Sequence, residues 1–182
     1  MRIIGLDPGL RHTGWGIIEL KNNRLLHIDD GRISPSTNLD EGDRLLIIRN
    51  KLKEIVDNYN PSISAIEQIF VGYGMGSSLK LGMARGVSIL VLAEASLKIK
   101  ELPPKLVKKT VTGYGSASKS QIKAMVSKLL GIEPKNEDSS DALAIAISAK
   151  HIGYKEISSN LENKQSGLDL AIAKALLKDQ NV

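Results

Sequence analysis

Three strand patterns follow one another in the first 34 residues before any helix begins, and that order restricts the chain to a fold built on an N-terminal sheet. Arg2–Asp7 is an apolar run, Thr13–Leu20 a second strand and Arg24–Ser34 a third. Asn22-Asn23 fits a hairpin turn between the last two, because asparagine tolerates positive φ. Leu45, Ile48, Leu52, Ile55, Val56 and Tyr59 then recur at helical spacing and predict a helix from about Asn38 to Tyr59, halted ahead of Pro61. Beyond it the pattern alternates. Ser62–Glu67 reads as a short buried strand, 72–78 as a glycine-rich loop, Ser78–Lys98 as a helix and Lys100–Leu102 as a brief strand. Pro103-Pro104 opens a short helix carrying Val107 and Val111, and Gly113–Ser118 is a loop. Ser118 or Ser120 caps a helix ending near Leu130, and the last clear helix spans about Asp138–His151. Strands first, then strand–helix alternation, predict an α/β domain with a mixed sheet.

At 182 residues the chain is sized for one domain. We place that domain at 1–151 and a polar C-terminal tail at 152–182, partly helical around Leu168–Leu177 or disordered. The absence of cysteine excludes disulfides, thiolate zinc sites and cysteine nucleophiles. The apolar runs fall well short of the roughly 20 residues that span a bilayer, and Met1–Gly5 does not read as a secretory leader. A cytoplasmic location with no membrane partner is the expectation.

Charge is unevenly distributed. Residues 98–135 hold nine lysines against Glu101 and Glu133, a net +7, whereas the whole chain carries +5 and the remainder is therefore at −2. Lysines for phosphates beside carboxylates for metal would suit an enzyme acting on a polyanion; a solubilising surface is the simpler alternative.

Four carboxylates carry the chemistry. Asp7 ends the apolar run Ile3–Leu6 and Glu67 ends Ile63–Ile66, both at strand ends, where α/β folds place their sites. A turn-forming Asp-Pro-Gly and a solvated glutamate are the simpler readings. Asp138 and Asp141 share one helix face, where the helix dipole alone would favour them. The helix that follows, Ala142–Ile147, is so apolar that its acidic start must press against the sheet. If the four converge they need a cation, and carboxylates without cysteine favour Mg²⁺ or Mn²⁺. Two such ions roughly 4 Å apart suit in-line phosphoryl displacement.

Five ordered blocks tie these features together: Ile4-Gly5-Leu6-Asp7-Pro8-Gly9-Leu10-Arg11-His12-Thr13-Gly14-Trp15-Gly16; Ala65-Ile66-Glu67-Gln68-Ile69-Phe70; Leu79-Lys80-Leu81-Gly82-Met83-Ala84-Arg85-Gly86; Val107–Gly113 with Gly115–Gln121; and Asp138–Ala146. Over residues 1 to about 151 the chain resembles the RuvC family of Holliday-junction resolvases, in the RNase H-like (retroviral integrase) superfamily. The resemblance implies a five-stranded mixed sheet with helices on both faces, and a homodimer binding four-way junction DNA. It further implies Mg²⁺-dependent hydrolysis of two strands of like polarity in recombination and repair, leaving 5′-phosphate and 3′-hydroxyl ends. Two Mg²⁺ per active site are expected, with Mn²⁺ as a substitute, and RuvA and RuvB are implied partners. The family's catalytic, metal-holding acids fall on Asp7, Glu67, Asp138 and Asp141, and its DNA-binding lysines on Lys108 and Lys119. Its aromatic falls on Phe70, which could stack on an unpaired base or simply pack in the core. Tyr73 and Gly74 depart from the usual loop residues, which puts loop contacts and cleavage preference in question.

Gly82 and Gly86 leave a bare stripe suited to the family's dimer helix or, equally, to an internal helix contact. Two other functions compete with the nuclease: a junction-binding module without catalysis, and an actin- or sugar-kinase-like ATPase. The ATPase fails on size, because no second Asp-x-Gly-x-Thr element is present.

Overall fold

The computed structural model describes residues 1–69 and 75–150, with 75–77 as backbone only. Phe70, Tyr73, Gly74 and the tail expected over 152–182 lie outside the described residues. Within Met1–Ala149, one compact unit, the chain runs β1 (Arg2–Asp7), β2 (Thr13–Lys21), β3 (Arg24–Ile33), α1 (Glu41–Tyr59), β4 (Ile63–Glu67), α2 (Met75–Glu94), β5 (Ile99–Leu102), α3 (Pro104–Thr112) and α4 (Lys119–Leu130). A last helix, α5, occupies 137–150.

The strands lie in the order β3-β2-β1-β4-β5. β3, β2 and β1 pair antiparallel, and β1, β4 and β5 pair parallel, so the sheet is mixed as expected. Asn22 and Asn23 both hold positive φ, 50° and 60°, which a two-residue hairpin turn requires.

Two helix boundaries differ from the sequence expectation. α1 starts at Glu41 rather than near Asn38, because the Ser36 carbonyl accepts from Leu39 N at 3.3 Å and its hydroxyl from Asn38 N at 3.3 Å, forming a turn first. α2 covers Met75–Glu94 rather than Ser78–Lys98. It stops where Ser96 adopts φ 56° and Leu97 N donates back to Leu92 O at 3.0 Å, a left-handed C-terminal closure. Ser118, not Ser120, caps α4: its hydroxyl accepts from Gln121 N while the Gln121 side chain accepts from Ser118 N, a complete capping box.

Strand alternation divides β1 between two faces. Ile4 and Leu6 enter a core with Ile17, Ile66, Ile48, Leu52, Val56, Ala84, Val91 and Leu92, so α1 and α2 cover that face. Gly5 and Asp7 point to the other face, which α5 covers. After its acidic start, every residue of α5 from Ala142 to Ala149 is buried, including Leu143, Ile145 and Ile147. Each such aliphatic side chain contributes about 1.5–3 kcal/mol on burial.

α5 sits unusually close to the sheet because its seat is glycine. A Cβ on Gly5 would lie 2.1 Å from Ala142 O, one on Gly14 2.1 Å from Asp138 O, and one on Gly16 2.7 Å from the Leu143 side chain. Gly5 pairs with Gly16 across the ladder, and Gly14 pairs with Asp7. Three absent side chains thus let a helix backbone lie on the strands.

Candidate active site

The register sets out a transverse row of residues on the α5 face. Asp7 opposes Gly14 in β2, and it stands one step beyond the Leu6–Ile66 pair, beside Glu67 of β4. Adjacent strands are about 4.8 Å apart, so the two carboxylates are side by side at the ends of parallel strands. α5, seated on Gly5, Gly14 and Gly16, brings Asp138 and Asp141 over the same strand ends. Asp7, Glu67 and Asp141 line one cleft of about 310 Å³, together with Lys108 of α3, Lys119 of α4 and the apolar Val107, Ile122, Ala144 and Ile145. Asp138 faces a neighbouring groove that Asp7 also lines.

Local contacts fix each acid. After Asp7, Thr13 Oγ1 donates to Gly9 O at 2.8 Å and Arg44 Nη2 donates to Leu10 O at 2.9 Å, closing the loop that follows. Behind Glu67, the largely buried Arg85 of α2 reaches the Glu67 carbonyl at 3.4 Å and Glu101 at 2.6 Å. The first turn of α5 carries a reciprocal cap. Asn136 Oδ1 accepts from Ser139 N at 2.9 Å, and Ser139 Oγ accepts from Asn136 N at 3.2 Å. The approach to α5 is tied to β3, where buried Asp30 accepts from Lys135 N at 2.9 Å and Asp29 from Lys135 Nζ at 2.5 Å. His27 Nε2 lies 2.8 Å from the second Asp30 oxygen.

Electrostatics show that the acids feel one another. Burial, then the charges of Asp141, Glu67 and Asp138, push the Asp7 carboxyl up to about 7, against the opposing pull of Lys119. Glu67 is raised by burial and by Asp141, and Asp141 is raised by burial in spite of Lys119. Cations already answer part of this repulsion. Lys119 Nζ is 3.3 Å from Asp141, whose charge raises the lysine's own pKa, and Arg32 Nη1 is 3.4 Å from Asp138. The acids therefore meet at one place without closing into a cage: among the described residues, no three acidic or histidine side chains are grouped tightly enough to hold one ion as they stand.

Sequence reasoning passed over Arg32, Arg85, Asp30 and the Asn136–Ser139 cap. The cap had a local signature, Asn-x-x-Ser ahead of an apolar run. Arg32 and Asp30 had only strand alternation to mark them.

A five-stranded mixed sheet with acids at the ends of its first and fourth strands, and on a helix crossing them, defines an RNase H-like domain of the resolvase class. Its fold is shared with the Thermus thermophilus RuvC solved in complex with a Holliday junction substrate, at a TM-score of 0.78 and 27% identity over 87% of this chain and 96% of that one. The yeast mitochondrial Holliday junction resolvase Ydc2 shares the fold at a TM-score of 0.59 and 12% identity, over 87% of this chain and 85% of that one. The crossover junction endodeoxyribonuclease RuvC of Ruegeria pomeroyi is 47% identical over 163 residues, covering 89% of this chain and 98% of that protein. The sequence profile of crossover junction endodeoxyribonuclease RuvC matches residues 3–149, and the chain belongs to the RuvC family.

Proposed function

We propose that the chain is a structure-selective endonuclease that resolves four-way DNA junctions by symmetric hydrolysis of two strands of like polarity, leaving ligatable 5′-phosphate and 3′-hydroxyl ends. The observation that carries this reading is the meeting of Asp7, Glu67 and Asp141 in one cleft beside Lys108 and Lys119, with Asp138 adjoining it. Catalytic roles for the four acids and DNA-binding roles for Lys108, Lys119 and Phe70 belong to this proposal.

The donor set fits a hard divalent cation. All four candidate ligands are carboxylates, and an Asp7 carboxyl pushed up to about 7 by its neighbours marks a site short of positive charge. Divalent cations bound there, two Mg²⁺ with Mn²⁺ as a substitute, would supply an activated water and charge neutralisation at the departing 3′ oxygen. Asp7 and Glu67 would hold such an ion from the strand ends, and Asp138 and Asp141 from the helix above. Lys119 and Lys108 take the substrate's phosphates, and the apolar wall of Val107, Ile122 and Ile145 limits water in the cleft.

A homodimer suits paired cuts on a near-twofold junction. Leu79, Gly82, Gly86 and Leu90 recur on one outward face of α2, with Leu79 at 61% and Leu90 at 54% exposure. Nothing among the described residues lies within 4 Å of a Cβ built at Gly82 or Gly86, so no described element of the chain packs into the stripe. That favours a second copy over an internal contact. Partnership with RuvA and RuvB and a cytoplasmic location complete the reading; no helix among the described residues is long and apolar enough to cross a membrane.

The test is a labelled four-way junction incubated with the protein and Mg²⁺, with linear duplex and ATP as controls. Paired, ligatable nicks on the junction alone are expected. Junction binding without cutting would instead identify a binding module, and ATP turnover would overturn the assignment.

A further inference from the structure

The transverse row that holds Asp7 and Glu67 extends past Gly14 to one more residue. Arg32 of β3 pairs with Gly14, so the row reads Arg32, Gly14, Asp7, Glu67 across four strands. Gly14 has no side chain, and the space above it is taken by the backbone of Asp138. The guanidinium of Arg32 therefore reaches Asp138 directly, at 3.4 Å. We propose that Arg32 is a substrate-contacting residue that grips a backbone phosphate of the strand being cut, from the β3 side of the acids. This rests on the endonuclease reading above.

Three features separate such a role from a brace for Asp138. The contact is single and long, between side chains 46% and 28% exposed, whereas an arginine that serves to fix a carboxylate makes a short two-pronged pair. The Arg32 side chain stays open to solvent beside Asp138, on a strand held by ladder pairing on one side and by the buried Asp30 anchor two residues away. Its placement also complements the lysines: Lys108 and Lys119 stand on α3 and α4, and Arg32 stands at the far end of the acid row. Its planar fork matches the geometry of a phosphate in a way an ammonium does not.

The test compares wild type, Arg32→Ala, Arg32→Lys and Lys119→Ala for binding to a four-way junction without divalent metal, across a salt series. Single-turnover cleavage in Mg²⁺ and thermal melting accompany it. Arg32→Ala should melt like wild type and bind several-fold more weakly. Its slope of log affinity against log salt should be shallower by about one, as for loss of a phosphate contact. Arg32→Lys should restore the slope while cutting more slowly than wild type. Wild-type affinity and slope in Arg32→Ala would overturn the proposal, whatever happened to cleavage, because the arginine would then act only on Asp138. If wild type itself neither bound nor cut the junction, the endonuclease reading would fail first.

Discussion

A methyl group on Gly14 would lie 2.1 Å from the carbonyl oxygen of Asp138, so the β2 backbone and the first turn of α5 are in direct contact beneath the acids. Gly14→Ala must push α5 outward and carry Asp138 with it. Overpacking of this kind costs about 1–3 kcal/mol, whereas a catalytic group displaced by about 1 Å can cost on the order of 100-fold in rate. Cleavage should therefore fall further than melting temperature does. Gly42, at the exposed start of α1, has nothing within 4 Å of its Cβ position and serves as the control: Gly42→Ala should leave cutting intact. Equal cleavage by the two variants would show that α5 has slack above β2.

Asp7 sets a pH dependence in the metal-free protein. Its folded pKa of about 7 lies above the ordinary value of 3.8, so the folded state keeps a proton that the unfolded chain has lost. Stability conferred by neutral Asp7 is present below about pH 4 and is lost as pH rises toward 7, by up to about 4 kcal/mol. Asp7→Asn removes the penalty. With chelator at pH 8 the variant should melt above wild type, and the gap should close by pH 4. The same variant should still bind junctions while failing to cut them. Calorimetric melts that differ equally at both pH values would contradict this account.

Lys119 is paired with Asp141 at 3.3 Å and is otherwise largely exposed. Lys119→Ala should weaken junction binding and reduce its salt slope by about one, measured by fluorescence anisotropy. Unchanged affinity and slope would leave the lysine with no role beyond its ion pair.

Asp30 is 1% exposed and accepts from both Lys135 N and the His27 ring. Asp30→Ala strands a backbone N–H and should cost about 1–3 kcal/mol. The loss is local to the entry of α5, so hydrogen exchange should quicken over residues 135–141 before it does in β1. Uniform acceleration across the sheet would mean that Asp30 supports the fold rather than this entry.

The fold was largely legible in the sequence, for reasons visible in single elements. β1 and β4 read correctly because both are buried apolar runs closed by a carboxylate, and the Asn22-Asn23 turn because two residues in series needed positive φ. The meeting of the acids was less legible: Asp7 and Asp138 approach only because three glycines in two strands let α5 descend. The end of α2 was misread because Leu97 and Ile99 continue the apolar pattern past the residue that breaks the helix, Ser96, whose left-handed backbone carries no sequence mark. Arg32 was missed because its neighbour Asp138 is 106 positions away and is reached only through the β2–β3 register.

The glycine seat under α5 also constrains how such a chain can diverge. Gly5 faces the backbone of Ala142 and Ala146 and Gly14 the backbone of Asp138, so no smaller side chain on α5 can make room for a larger residue at either, whereas Gly16 faces the Leu143 side chain. Paired drift is open only to Gly16 and Leu143; a side chain at Gly5 or Gly14 must move the helix itself. Because Asp138 and Asp141 ride on that helix, mismatched changes should first produce proteins that remain intact yet no longer turn over.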